Sequence, residues 1–208
     1  MGKKKNRRRF GNEFDSFVEH PRYGRHPQIT GLNPKPDFDT RVFLHWASPA
    51  DQRIENTAIV ADLQRQSPAT IPVTHYFDVK RVCRDCNSPF LFFAQEQQHW
   101  YEDLEFPLES DCVRCSPCRK MQQGLVQKQA RYEELFHLAQ RTFDEDLEMA
   151  ECCISLMEAS LFGHKQIPRV RMILKNSKPL LTPANATVHE TLLSRLVSIE
   201  EKPDRDIG

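Results

Sequence analysis

The spacing of apolar residues divides the chain into three parts with different expected structures. Residues 1–38 show no apolar periodicity and are rich in basic residues, proline and glycine, so we expect a mostly disordered basic arm. Residues 39–120 contain short apolar alternations and many aromatic side chains, as short strands do. Residues 121–208 repeat apolar residues at helical spacing. The pattern predicts an α+β protein in which a small mixed domain precedes an α-helical C-terminal half.

Short elements are expected in the middle part. Residues 40–46 alternate well enough for a strand that places Val42, Leu44 and Trp46 on one face. Two further strands are predicted at 76–82 and 90–93, and a short helix at 94–104. Within the arm, residues 21–27 are interpreted as an extended tail, with docking on a surface as the alternative.

The last part predicts four helices. Ser116-Pro117 is a good start for the first, with the serine at the N-cap and proline where the missing N–H costs nothing. This helix is expected to reach about residue 141. A second should span about 144–161 and end before Gly163, a suitable residue for the position after a C-cap. Shorter helices at about 168–176 and 188–200 complete a helical hairpin or small bundle.

The charge of the chain is uneven although its total is zero, with 29 basic and 29 acidic residues among 208. Residues 1–26 carry eight basic and three acidic side chains, so only the N-terminus is a basic arm. The chain contains no apolar run long enough to cross a bilayer, and no membrane contact is expected. Seven cysteines without a secretory signal fit a reduced compartment, and we expect the protein to be cytoplasmic.

Two cysteine pairs carry the clearest chemical signal. Cys83 and Cys86 form one C-x₂-C pair, Cys115 and Cys118 form another, and 28 residues separate them. Two such pairs satisfy the tetrahedral coordination of a structural Zn²⁺ ion and leave no open position for a substrate. The spacing can also accommodate an iron–sulfur cluster, but nothing else in the sequence suggests electron transfer. Because Cys112 is evenly spaced with the second pair, spacing alone also permits Cys112 and Cys115 as ligands, but a helix start at residue 116 favours Cys115 and Cys118.

The neighbours of the cysteines have two possible interpretations. Five cations surround the pairs and are expected to offset the site's negative charge rather than bind nucleic acid: Arg81, Arg84, Arg114, Arg119 and Lys120. Aromatic residues between the pairs are expected to form a small core rather than a platform for stacked bases.

Residues 54–120 resemble a probable zinc-ribbon domain found in bacterial proteins of unassigned function. The likeness is carried by the stretches 54–59, 83–86, 92–97, 100–102, 106–107 and 113–120. The resemblance implies the metal ligands Cys83, Cys86, Cys115 and Cys118, and Cys112 matches no family ligand. Asn87 departs from the glycine usual at its position, and Gln95 departs within the A-x-E-Q turn. About a third of the chain is covered, and the family supplies no reaction or substrate.

These features predict a non-enzymatic adaptor that binds a protein partner, with no small-molecule substrate. The alternative is a protein associated with RNA or ribosomes through the cationic arm Lys3, Lys4, Lys5, Arg7, Arg8 and Arg9. An enzyme is the third hypothesis. It would need a reactive thiol, for which Cys112 is the candidate.

Overall fold

The computed structural model describes residues 13–201, and the predicted α+β class is confirmed. Its contacts divide the chain into two compact units, the first ending at Arg119 and the second beginning at Lys120. None of the helices in the described part is long and apolar enough to cross a membrane.

The described part of the first unit contains two small antiparallel sheets and one short α-helix before residue 116. The first sheet pairs β1 (Ile59–Val60) with β2 (His75–Tyr76), and the second pairs β3 (Val79–Val82) with β4 (Pro89–Phe92). Helix α1 (Ala94–Gln98) follows directly and continues as a π-helical turn over His99–Asp103. The predicted strands at 76–82 and 90–93 and the helix at 94–104 therefore form, with small shifts at their ends.

Both faces of β4 are buried, which explains its continuous apolar sequence. Phe90 and Phe92 pack with the cysteines on one face, whereas Leu91 and Phe93 pack with Phe14 on the other. A strand whose successive side chains point to opposite sides needs apolar residues at every position when both sides are covered. The burial of Phe90, Phe92 and Phe93 agrees with the expectation that the aromatic residues form a core.

The N-terminal segment differs from the expectation of a disordered arm. From residue 13 to residue 38, this prediction is wrong, because the segment packs on the first unit. Phe14 lies in a 3₁₀ turn, Glu13–Ser16, and is fully buried. Two aromatic side chains also join this packing, Phe17 and Tyr23. They are the feature of the sequence that could have predicted an ordered segment, but the proline and basic residues beside them favoured the prediction of disorder.

The strand predicted at 40–46 is also wrong. Val42 and Leu44 each make one isolated bridge, to Asp37 and His75. Leu44 packs beside a small core, whereas Trp46 is 55% exposed and stacks on the ring of His45. Apolar and polar residues do alternate over residues 40–46, but too few of their backbone groups form hydrogen bonds with a neighbouring segment to make a strand.

In the described part of the second unit there are four α-helices, as expected for a small bundle. They are α2 (Ser116–His137, whose first residues belong to the first unit), α3 (Phe143–Glu158), α4 (Ile167–Ser177) and α5 (Pro183–Glu200). Helix α3 lies at the centre, because every residue from Leu147 to Met157 except Glu148 and Glu151 is buried. Side chains from all four helices share its apolar cluster.

The end of α3 is formed by Ser160 rather than Gly163. Ser160 adopts a positive φ of 58°, and its N–H donates to the carbonyl of Met157 at 2.9 Å. The N–H of Leu161 donates to the carbonyl of Leu156, also at 2.9 Å. These two bonds form a Schellman motif. Gly163 has φ −87° and instead precedes a 3₁₀ turn, so the prediction for this glycine is wrong.

A buried carboxylate, Asp78, connects three segments of the first unit. Its two oxygens accept hydrogen bonds from the N–H groups of Ala94, at 2.8 Å, and Gln28, at 2.7 Å. Its own N–H donates to the hydroxyl of Thr57 at 3.0 Å. Ala94 is the first residue of α1, so Asp78 satisfies one of the N–H groups that a helix leaves free at its start. Burial raises the pKa of Asp78 to about 7, despite the two donors that lower it.

The raised pKa of Asp78 predicts a pH-dependent contribution to stability. The folded state retains a proton that the unfolded state releases near pH 4, so stability is lost as pH rises toward 7. From about pH 5 to about pH 8 this group should lower the free energy of unfolding by about 3 kcal/mol. Asp78→Asn, which stays neutral, should remove this part of the pH dependence.

The measurement is urea unfolding of both proteins at the two pH values. Other titrating groups, including the cysteines, contribute equally to both and cancel in the difference. An identical pH dependence in the variant would contradict the assignment.

Candidate metal centre

The four cysteines of the two C-x₂-C pairs converge in the first unit. Cys83 follows β3 and Cys86 lies in the turn before β4, whereas Cys115 immediately precedes α2 and Cys118 lies in its first turn. Their sulfur atoms all lie within 4.8 Å of one another. Among the described residues, they are the one group of three or more potential metal ligands arranged in this way.

The first pair is positioned by a tight turn. The N–H of Cys83 donates to the carbonyl of Ser88 at 3.0 Å, and the N–H of Asn87 donates to the carbonyl of Cys83 at 2.9 Å. Asn87 has a φ of 55°, a left-handed conformation that asparagine adopts more readily than most residues. Asparagine therefore fulfils the role that glycine has in the resembling family.

The second pair is positioned by the start of α2. The N–H of Arg119 donates to the carbonyl of Cys115 at 3.0 Å, which closes the first helical turn around Cys118. Ser116 is the first residue of this helix rather than the residue before it, a shift of one position from the prediction. The N–H of Arg84 donates to the carbonyl of Val113 at 2.9 Å, so the backbone itself joins the two cysteine turns.

The sulfur geometry suits a tetrahedral ion. Four sulfurs at about 2.3 Å from one Zn²⁺ ion are separated from each other by about 3.8 Å. The sulfurs of Cys86 and Cys115 are 3.8 Å apart. Cys83, Cys115 and Cys118 are buried, whereas Cys86 is exposed. The site therefore lies at the surface and is enclosed on its inner side.

The surroundings of the four thiols shift their pKa values in opposite directions. Burial raises the pKa of Cys83, but N–H groups of Cys86, Cys115 and Asp85 outweigh this effect and lower it to about 6. Burial raises the pKa of Cys115 and Cys118, and for Cys118 the neighbouring sulfurs raise it further. Four thiolates can occupy so small a volume only when a cation offsets their charge. The donor set thus points to a soft, zinc-type ion.

Three of the five nearby cations are engaged with carboxylates of the same unit. Arg114 contacts Asp85 at 2.7 Å and Arg81 contacts Asp111 at 2.9 Å. Arg119 contacts Glu96 at 2.5 Å and lies over the ring of Trp100, 5.1 Å from its centroid. These contacts favour local charge balance over a nucleic-acid surface.

Cys112 lies beside the sulfur group but outside it. Its side chain is buried in the same cluster, and its thiol donates to the carbonyl of Arg114 at 3.4 Å. Burial raises its pKa to about 12. The structure therefore groups Cys118, and not Cys112, with Cys115.

Three residues near the centre were missed by the sequence interpretation. Val18 packs against the cysteine cluster, and Glu96 accepts hydrogen bonds from both Arg119 and His20. Val18 and His20 lie more than 60 positions from the nearest cysteine, and Glu96 lies between the two pairs without a ligand spacing, so spacing could not connect them. The cations Lys3, Lys4, Lys5, Arg7, Arg8 and Arg9 fall outside the described residues.

Residues 77–125 match a family model described as a probable treble clef domain. The match covers about a quarter of the chain and contains all four clustered cysteines. This match confirms the predicted resemblance to a family of zinc-binding domains over these residues. No curated protein and no solved structure gives a significant match to the chain.

The burial of Cys112 predicts that its thiol is unreactive in the native protein. Iodoacetamide at about pH 8 should leave Cys112 unmodified for hours, because the thiolate is the nucleophile and little of it is present when the pKa is about 12. Peptide mass spectrometry after native and denatured labelling makes the comparison. Rapid native modification of Cys112 would show an accessible thiol and revive a redox role.

Proposed function

We propose that Cys83, Cys86, Cys115 and Cys118 bind one Zn²⁺ ion that has a structural role, and that the protein is a non-enzymatic adaptor for a protein partner. The convergence of four sulfurs within 4.8 Å carries the first part. Four protein ligands complete the tetrahedral coordination of zinc, so a substrate has no free coordination position. All seven cysteines are free thiols, which suits a reduced compartment such as the cytoplasm.

The support for a partner comes from helix α4 in the second unit. From residue 159 to residue 189 the sequence has five cations and no acidic residue. Two of the cations are engaged, since Arg169 contacts the Tyr132 hydroxyl and Arg171 contacts Glu200. Lys165, Lys175 and Lys178 are exposed and form no ion pair within the described part of the chain.

Three cations lie along one side of α4 and the 3₁₀ turn that follows it, and two of them, Lys175 and Lys178, form no ion pair among the described residues. Arg171, Lys175 and Lys178 follow each other at intervals of four and three residues and span about 10 Å. Met172, beside them, is 57% exposed. We call this set, together with Lys165, the α4 basic face. An acidic protein segment that also carries apolar side chains complements both its charge and its methionine.

An acidic protein segment is favoured over nucleic acid by the charge of the whole unit. Residues 120–201 contain ten basic and eleven acidic side chains, so the unit is not positive overall. Nucleic-acid-binding domains generally have a clear excess of positive charge. The nucleic-acid alternative thus depends on the arm cations at positions 3–9.

The zinc proposal predicts one equivalent of zinc per chain by elemental analysis. Cys83→Ser and Cys115→Ser should abolish stoichiometric binding, because each removes a ligand, and residues 75–120 should lose their structure while the helices retain most of their signal by circular dichroism. Cys112→Ala is the matched control and should retain full zinc content. Loss of zinc in this control with retention in Cys115→Ser would reassign the ligands. Complete loss of helical signal would mean that the two units fold together.

The adaptor proposal predicts that the double variant Lys175→Gln, Lys178→Gln weakens binding of a labelled peptide of repeated Glu-Glu-Leu triplets. Two lost charge contacts should reduce affinity by about fivefold to tenfold in fluorescence anisotropy. The control Lys35→Gln, Lys120→Gln removes two exposed lysines elsewhere and should bind normally. Equal loss in both variants would contradict a specific face. If single-stranded RNA is bound tightly and the peptide is not, the nucleic-acid alternative replaces the proposal.

A further inference from the structure

A segment preceding the first unit's strands lies directly against the cysteine cluster. We call residues 18–24 the strap. Val18 packs against the buried cluster that contains Cys83, Cys115 and Cys118. Its N–H donates to the carbonyl of Pro89 at 2.8 Å, and Val18 forms a parallel bridge with Phe90 on β4. The strap thus occupies the edge of the hairpin whose turn carries the first cysteine pair.

A second contact connects the strap to the other cysteine pair. The N–H groups of Arg22 and Tyr23 donate to Nδ1 of His20, so the remaining ring proton lies on Nε2 in the neutral side chain. Nε2 then donates to Glu96 at 3.3 Å. The same Glu96 oxygen accepts from Arg119, the residue that follows Cys118. Glu96 is buried, so this chain of contacts is shielded from solvent.

The strap itself is a compact turn. His20 and Gly24 exchange both backbone hydrogen bonds at 2.8 Å, and Gly24 has a φ of 80° that favours glycine. The Tyr23 ring stacks on His20 and lies 5.3 Å from the ring of Phe93. The strap is therefore a compact turn whose own hydrogen bonds hold it together.

From these contacts we propose that the metal centre controls docking of the strap: the loaded site holds it, and loss of the metal releases it. This inference rests on the zinc site proposed above. Cys83, Cys112, Cys115 and Cys118 make up most of the cluster under Val18, with Phe90 and Phe92. Without a cation that keeps the sulfurs together, this surface loses its shape. The edge of β4 is then uncovered.

The segments on either side of the strap have anchors that do not involve the cysteines, and within the strap the ring of Tyr23 also packs against Phe93. Phe14 is buried against Ile54, Leu91 and Phe93. The N–H of Gln28 is bonded to buried Asp78. Loss of the metal should therefore free the strap as a loop held at both ends.

Hydrogen exchange of the full chain, with and without removal of zinc by a chelator, tests this directly. The amides of Val18, His20 and Gly24 should exchange at least tenfold faster after zinc removal. The amide of Gln28 and those of helix α3 should change by less than about threefold. If residues 83–118 lose protection while the strap does not, the coupling is refuted although the zinc proposal stands. Faster exchange of Gln28 to the same degree would show unfolding of the whole unit and also refute it. A chain that binds no zinc refutes the site itself.

Reciprocal coupling offers a second measurement. If zinc strengthens docking of the strap, the docked strap must strengthen zinc binding by the same factor. Val18→Ala and His20→Ala should each weaken zinc affinity by about fivefold or more, measured by competition with a chromophoric chelator. Glu19→Gln is the control, because Glu19 lies in the same segment with a 62% exposed side chain that contacts Arg25. Equal affinity of all three variants and the unmodified chain would overturn the proposal.

Discussion

The convergence of four cysteine sulfurs ties together parts of the first unit that have little other regular structure. It joins the turn between β3 and β4 to the start of α2, and the hydrogen bond from Arg84 to Val113 reinforces the junction. The surrounding cluster consists of cysteines and two phenylalanines. So small a cluster provides little hydrophobic stabilisation by itself, and metal–sulfur bonds supply what the apolar area does not. Because side chains alternate along β4, fixing Phe90 and Phe92 on the cysteine side also orients Leu91 and Phe93 toward Phe14.

Buried polar groups provide a second constraint, since most of the first unit consists of loops whose backbone groups need partners. Asp78 accepts from Gln28 and Ala94. Gln97 donates to the carbonyls of Phe77 and Phe92, at 2.6 Å and 3.0 Å. Each such bond replaces a sheet or helix partner that the loop lacks, and leaving one unmade would cost about 1–3 kcal/mol. In the first unit, buried side chains thus satisfy backbone hydrogen-bonding groups that helices satisfy in the second unit.

The sequence predicted the parts of the molecule that depend on local signals. The cysteine spacing and the proline at position 117 were sufficient to group Cys115 with Cys118, and helical periodicity located the four helices of the second unit to within a few residues. Prediction from the sequence failed where a contact joins segments that are distant along the chain. Packing of Phe14 under β4 and of Val18 on the cysteines depends on residues about 70 or more positions away. It also failed at the end of α3, where Ser160 adopts a conformation that its type does not favour.

Cations that pair with carboxylates and cations that do not lie in different parts of the chain. Their distribution assigns the two proposed roles, metal binding and partner binding, to different units. Near the cysteines, Arg81, Arg114 and Arg119 each contact a carboxylate, so their charge is used within the unit and little remains for a partner. On α4 and the turns beside it, exposed lysines have no such contact among the described residues, and residues 159–189 contain no acid to supply one. Unneutralised cations at helical spacing repel each other and cost some stability. That cost is offset when an acidic ligand binds. The metal centre is therefore expected to stabilise its own unit. The surface that binds the proposed partner is expected on the helices of the second unit.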